Sequence, residues 1–406
     1  MKSYLSVLAT PGAWRFLLPA LLARLPFAMT QLGILLLVKW ATGSYASAGI
    51  AAAAAAVAQA LAGPQTGRLA DRYGQARVLL PQVTVHALAL GTLLALAAGH
   101  AGTPYLVLSA AVVGASAPQV GAMVRARWAR RLGGSPRLNT AFAVESITDE
   151  LTFTLAPVIL VTLSTAYSPV LAMLVALVLI VTGTVIFALV RTDAPAPHPR
   201  EPGRAPGAGV LRLRGVAVLA VAFLAMGSVF GSLQVGITSF TAGLGVPASA
   251  GPVYAAFSGA SVVGGLLYGA ARWRVSARTR LSAGLALLAL ATCALTLAGS
   301  LPTLYGAAAA AGLVIAPVVI TGYTIIDRLV RAEARTEAFT WLNGAIGLGI
   351  ATGSSMAGLL VDHLGPSWAF AVPPLTTGLA AVLVLVRARS LRPAATRTPE
   401  PALLPG

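Results

Sequence analysis

The sequence predicts an all-α integral membrane protein of twelve transmembrane helices, arranged as two pseudo-symmetric bundles of six. Three observations predict it. Hydrophobic residues fill 57% of the 406 positions and charged residues only 10%, with a mean hydropathy of +0.83. Such a composition cannot cover a soluble domain with a polar surface. Apolar stretches that meet the length for crossing a bilayer, about 20 residues, recur on both sides of a proline-rich interruption. The basic residues fall almost entirely between alternate stretches, on one side of the implied membrane.

In chain order the spans fall near 14–38, 45–66, 77–99, 103–125, 139–163 and 169–190, and then near 215–240, 250–271, 281–299, 303–326, 337–361 and 367–387. Alanine dominates Ala51–Ala56 and Ala307–Ala311 and is only weakly apolar, so the edges there are the least sharply drawn. The first stretch is too long for a cleavable signal peptide and contains Arg24, so it is expected to stay as a span. Residues 1–190 form the first bundle and 215–389 the second. Between them, 191–214 carries Pro195, Pro197, Pro199, Pro202 and Pro206 among Gly, Arg and Glu, a composition suited to an irregular linker. Residues 390–406 are again proline-rich and are expected to be a disordered tail.

Charge orients the chain, because inner loops retain Lys and Arg. With the N-terminus inside, Arg68, Arg72, Arg77, Arg125, Arg127, Arg130, Arg131, Arg272, Arg274, Arg328, Arg331, Arg387 and Arg389 all fall on the inner side. Lys39 falls outside and Arg24 lies within a span. The net charge of +17 is spread over every inner loop. It therefore implies contact with anionic lipid heads of the cell membrane and not a nucleic-acid partner. The excess of arginine over lysine and the wealth of alanine match a GC-rich bacterial coding sequence.

The halves echo one another, as in transporters built from repeats around a central site. Phe27, Gln31, Gly33 and Ile34 of the first span reappear as Phe230, Gln234, Gly236 and Ile237 of the seventh, 203 positions on. Gly114, Ala117 and Pro118 of the fourth reappear in the tenth as Gly312, Ala316 and Pro317, the last pair 199 positions on.

Residues 67–77 read Gly-Arg-Leu-Ala-Asp-Arg-Tyr-Gly-Gln-Ala-Arg, a charged turn between two membrane spans. Gly67, Leu69, Asp71, Arg72, Gly74 and Arg77 resemble the G-x-L-A-D-R-x-G loop signature, followed by basic residues, of the major facilitator superfamily. Gln75 and Ala76 stand where that signature is usually basic. A second echo, Gly358-Leu-Leu-Val-Asp362-His-Leu-Gly365, ends the eleventh span on the outer side. The resemblance covers the whole chain as two six-helix halves and is closest to bacterial drug and metabolite exporters.

The resemblance implies that Asp71 bridges the halves at an inner gate. There it would meet the start of the eleventh span near Glu337–Trp341, with Arg72 or Arg125 as ionic neighbours. It also implies a midplane cavity, with matching positions at Phe27, Gln31, Gln119, Phe230, Gln234 and Tyr323, and Asn343 from the eleventh span. Aromatic and amide groups of this kind suit a drug-sized, moderately hydrophobic small molecule. The chain departs from the G-x-x-x-G-P-x-x-G-G signature of drug antiporters: residues 152–161 keep only Pro157, and the family's mid-span arginine in helix four is absent.

Read from the residues alone, Arg24 is a buried cation that needs a partner, costing roughly 2.5–3.5 kcal/mol at mid-membrane. The fifth span offers Glu145, Asp149 and Glu150. Counting about 1.5 Å per residue from each inner end pairs Arg24 with Asp149 or Glu150, and leaves Glu145 to Arg125 and Arg127. A carboxylate held between an apolar interior and an arginine is a candidate proton carrier.

Much else is excluded. Lys2 and Lys39 are the only lysines, so no Gly-rich loop ends in Gly-Lys-Ser/Thr, and ATP is not the direct energy source by that route. Cys293 stands alone, and His86, His100 and His363 lack companions at ligand spacing, so neither a disulfide nor a metal site is expected. No nucleophile, base and oxyanion donors converge to make an enzyme. The expectation is a monomeric secondary transporter working by alternating access without a cofactor, driven by a proton gradient and exporting small hydrophobic compounds. Uptake or facilitated passage of a neutral polar solute such as a sugar is the alternative, and a non-transporting scaffold or receptor a third.

Overall fold

The computed structural model describes residues 2–191, 193–197, 209–271 and 273–391. Twelve of its helical segments are long and apolar enough to cross a membrane. A short helix α1 (Lys2–Leu8) precedes the first span, α2 (Ala13–Thr42). Then come α3 (Tyr45–Tyr73), α4 (Gln75–Ala98), a fourth span in two pieces, α5 (Thr103–Ser116) and α6 (Val120–Leu132), α7 (Arg137–Ala166) and α8 (Pro169–Leu189). The second set is α9 (Arg214–Gly243), α10 (Ala250–Ala270), α11 (Ala277–Thr296), α12 (Leu301–Leu329), α13 (Arg335–Leu364) and α14 (Val372–Val386).

Turns between spans are made by the residues that turn chemistry requires. Ser44, Ser168 and Ser276 each accept a hydrogen bond from a backbone N–H of the first turn that follows, filling an orphan donor. Gly74 and Gly365 close α3 and α13 with φ of +91° and +103°, which glycine adopts without the clash a Cβ would bring. Both end an Asp-x-x-Gly sequence, so the echo between the two loops extends to the backbone.

Without a hydrophobic force between helices in lipid, close packing holds each bundle together, and small residues permit it. A Cβ on Gly114 would strike the backbone of Ala55, and one on Gly312 the backbone of Phe257. The α3–α5 contact of the first half thus repeats as the α10–α12 contact of the second. In the second half, Gly227 and Gly231 of α9 meet the backbone of Ile346 and Ile350, while Gly349 and Gly353 of α13 meet that of Leu224 and Ser228.

The fourth span departs from the continuous helix expected. It breaks over Ala117–Pro118–Gln119, because Pro118 has no N–H to continue the ladder. The freed Ala117 carbonyl accepts hydrogen bonds from Gln82 Nε2 at 3.0 Å and Gln119 Nε2 at 3.3 Å, the satisfaction a buried backbone group needs in a membrane. Pro317 leaves α12 unbroken. The start of the linker is docked, since Arg131 pairs with Asp193 and Arg130 donates to the Ala194 carbonyl. Residues 198–208, with Pro199, Pro202 and Pro206, lie outside the described residues, as do Arg272 and the tail from 392.

Candidate functional site: the seam between the bundles

The bundles meet chiefly along two helix pairs, α3 with α13 and α7 with α10, with α7–α12 and α6–α13 contacts beside them. Their contacts gather at the end of the molecule where α2, α7 and α9 begin. There Asp71, at the last turn of α3, is 6% exposed. Its Oδ1 accepts from the Thr336 N–H at 3.1 Å and its Oδ2 from the Glu337 N–H at 2.9 Å. A carboxylate at this place satisfies two orphan donors of α13 and complements its dipole. Gly67, one turn earlier, lets the helices touch: a Cβ there would stand 2.9 Å from the Thr336 carbonyl oxygen and 3.0 Å from Glu337 Cα. Glu337 in turn accepts at 3.1 Å from the Val210 N–H, which ties residues beyond the linker to the same helix start.

The ionic neighbours expected of Asp71 are engaged elsewhere. Arg72 lies over its own neighbour, Tyr73, at 4.9 Å, and Arg125 serves Asp149. Other residues of the motif face away from the seam: Leu69 is exposed, and Arg77 lines a lateral cleft of ≈ 560 Å³ with Thr66, Leu69 and Tyr73.

An aromatic cluster lies behind the Asp71 contact. Phe142 of α7 packs on Phe339 of α13 at 5.8 Å and Tyr323 of α12 at 6.3 Å, and Phe223 of α9 meets Tyr323 edge-on at 4.9 Å. Thr140 Oγ1 donates to the Gly269 carbonyl at 2.8 Å, and Thr324 Oγ1 to Asn139 Oδ1 at 2.6 Å. The short α1 adds a latch, with Tyr4 Oη 2.9 Å from the carbonyls of Gly265 and Leu266 on α10. Burial pushes the Tyr4 hydroxyl up to about 12, so it stays protonated and able to donate. None of these contacts was expected from the sequence. They rest on Thr, Asn, Phe and Tyr residues that read as ordinary span composition.

The buried charges pair differently from the expectation. Arg24 takes Glu145 as its main partner and also pairs with Asp149, whose Oδ1 is 3.5 Å away, but not with Glu150. Glu145 is fully buried and also accepts from the Trp128 indole at 2.9 Å. Among the described residues it forms no direct ion pair with Arg125 or Arg127. Arg125 pairs with Asp149, and Arg127 donates to Gln75 Oε1 at 2.8 Å and lies 3.9 Å over the Phe187 ring. Rise per residue places Cα atoms, but a long side chain leans back toward its helix N-terminus. Arg24 therefore reaches down one turn, to Glu145. The result is a neutral set of two arginines and two carboxylates within the first bundle.

Glu150 stands apart from that set. One residue on from Asp149, it is turned about 100° around the helix and faces α10, where Ser261 Oγ donates to its Oε2 at 3.2 Å. Thr154, one turn further, donates to Ser258 Oγ at 3.2 Å. Among the described residues no arginine or lysine pairs with Glu150. The group therefore sits at the seam with hydroxyls alone.

The residues expected to line a cavity are divided. Gln234 is exposed, and Phe27, Gln31, Phe230 and Asn343 are half-buried. Phe230 packs on Phe257 at 5.7 Å. Gln119 is buried at the break of the fourth span, against Gly63. Tyr323 is 1% exposed and its hydroxyl donates to Asn343, so this pair belongs to the closed end. The lateral cleft beside Arg77 and a second of ≈ 650 Å³ beside Arg212 each lie within one bundle. Neither is the midplane chamber. Among the described residues no three His, Cys, Asp or Glu side chains group as a metal site would need.

Comparison with known proteins agrees with this architecture. The profile of the Major Facilitator Superfamily matches residues 4–301 and 253–404. The human organic anion transporter MFSD10 (TETRAN) superposes with a TM-score of 0.69 at 17% identity, over 92% of this chain and 100% of its own. A bacterial homologue of the iron transporter ferroportin, in an outward-facing state, gives 0.71 at 14% identity, over 93% and 99%. The fucose:proton symporter FucP of E. coli gives 0.66 at 16% identity, over 92% and 99%. No curated protein sequence matches the chain.

Proposed function

The chain belongs to the major facilitator superfamily of membrane transporters, and from that premise we propose that it exports small hydrophobic compounds in exchange for protons. The observation that carries the coupling is Glu150, a carboxylate at the α7–α10 seam whose partner there is a hydroxyl and not a cation. Its hydration changes whenever the bundles rock apart, and a carboxylate in that position trades a proton between states. Asp149, held by two arginines, is the static neighbour.

The closed Asp71 end is the cytoplasmic one in this reading, because the basic loops gather there, and the molecule then stands in an outward-open state. Closure by Asp71, Gly67, the aromatic cluster and Tyr4 is the inner gate. Phe27, Gln31, Phe230 and Gln234 would then line the outward path, and the large apolar share of the spans suits a hydrophobic cargo.

Proton-coupled uptake of a sugar is the second reading, favoured by the amides Gln31 and Gln234 and by the likeness of fold to a fucose:proton symporter. Purified protein in proteoliposomes separates them. A pH gradient should drive accumulation of a hydrophobic cationic dye against its gradient, and a protonophore should abolish it. Gradient-driven movement of labelled sugars with no dye flux would reverse the assignment.

A further inference from the structure

We propose that the cleft of ≈ 650 Å³ at the start of α9 binds the headgroup of one anionic phospholipid. Its walls come from three directions: the 3-10 turn Val210–Arg212, the first turn of α9, and the ends of α12 and α14. Four arginines line it, Arg212 and Arg214 from the first side and Arg387 and Arg389 from the other. No carboxylate is among the lining residues, and none of the four arginines forms an ion pair among the described residues. Four guanidinium groups in one recess repel one another, so an anion seated between them relieves that repulsion and gains charge-assisted hydrogen bonds.

The apolar part of the lining selects a lipid over a soluble phosphate. Leu213 and Val386 are 49% and 73% exposed and stand beside the cleft at the ends of membrane-spanning helices, where acyl chains run past. Val216 and Leu329 floor it. A phosphate with two acyl chains satisfies both kinds of wall at once, whereas a free phosphate leaves the apolar rim unused. Basic recesses between spans at a membrane face take anionic headgroups by this combination.

The test uses the full chain in a neutral detergent, read by native mass spectrometry and by melting temperature. Phosphatidylglycerol should be retained as one tightly held copy and raise the melting temperature saturably, while phosphatidylcholine and free glycerol phosphate should do neither. Arg387→Gln with Arg389→Gln should weaken retention on the order of thirty-fold. The control pair Arg274→Gln with Arg278→Gln, on the same face but outside the cleft, should change it less than about two-fold. If the double variant loses stability without lipid, Arg212→Gln alone should still weaken retention about five-fold. Equal retention of phosphatidylcholine, an equal loss in the control pair, or displacement by glycerol phosphate at matching concentration would each overturn the proposal.

Discussion

The guanidinium carbon of Arg125 lies 4.1 Å from the ring centroid of Tyr323, and the two residues belong to opposite bundles. Because the same guanidinium is paired to Asp149, the charge set of the first bundle touches the second through an aromatic face. A desolvated contact of this kind contributes about 2 kcal/mol, and only while this end is shut. Tyr323→Leu should therefore favour the state open at the Asp71 end by about 1–2 kcal/mol, roughly 5–30-fold in population. Ala143, fully buried at the seam, is a reporter: in a Cys293→Ser background, Ala143→Cys should label faster with maleimide when Tyr323→Leu is added. Tyr323→Phe keeps the ring and should move labelling much less.

Asp71→Asn should act on the same equilibrium. The amide has one acceptor oxygen where the carboxylate uses two, so one of the Thr336 and Glu337 donors is orphaned at a cost of about 0.5–2 kcal/mol. Gly67→Val acts by bulk, since a Cβ alone already meets the Thr336 carbonyl oxygen at 2.9 Å. Both variants should raise labelling of Ala143→Cys. An unchanged rate in both would show that this contact does not set the balance.

The number of spans and their approximate places were legible in the sequence because each depends on local pattern, whereas the Asp71 contact with the start of α13 was expected only through the resemblance of the loop to a family signature. Apolar length gives spans, and the Gly67–Gly74 spacing gives the loop. What the pattern could not supply was orientation about each helix axis. Glu145, Asp149 and Glu150 lie within six residues, and the choice among them for Arg24 depends on how far a side chain leans down its helix, which a count of rise omits. The Ser261 partner of Glu150 was hidden for a related reason, since a lone serine in an apolar span carries no signal until the facing helix is known. Tyr4 was missed because α1 is too short to show a period. The break in the fourth span had its cause in view at Pro118, but Pro317 sits at the matching place in an unbroken helix, so proline alone does not decide.

Glu145→Gln should be the most destabilising of the charge substitutions. It leaves Arg24, 6% exposed, without its main partner, and removing one member of a buried pair costs about 3–5 kcal/mol. A large fall in melting temperature is expected. Asp149→Asn should cost less, because Arg125 keeps its contact with Tyr323 and Asp149 is itself 32% exposed. The reverse order would mean that Asp149 and not Glu145 anchors the set.

Glycines of α13 give a paired test of close packing. A Cβ on Gly349 would collide with the backbone of α9, whereas one on Gly347 meets nothing within 4 Å. Gly349→Val should lower stability by about 1–3 kcal/mol or more through forced separation of the helices. Gly347→Val, with the same change of residue type two positions away, should leave the melting temperature nearly unchanged.

Asp149 and Glu150 are adjacent in sequence, yet under the proposed proton coupling their surroundings predict different outcomes in transport. Glu150→Gln keeps the hydroxyl contact to Ser261 and removes the ability to ionise. In proteoliposomes it should abolish accumulation driven by a pH gradient while leaving substrate exchange across the membrane intact, because rocking of the bundles does not need the proton. Asp149→Asn disturbs the ion-pair set and should slow both processes together, as a loss of well-folded carrier would. Full gradient-driven accumulation by Glu150→Gln would remove this residue from the coupling path, since no other carboxylate of α7 sits at the seam with hydroxyls alone. Loss of exchange as well as accumulation would instead make Glu150 a structural contact between α7 and α10, and its melting temperature would fall with its activity.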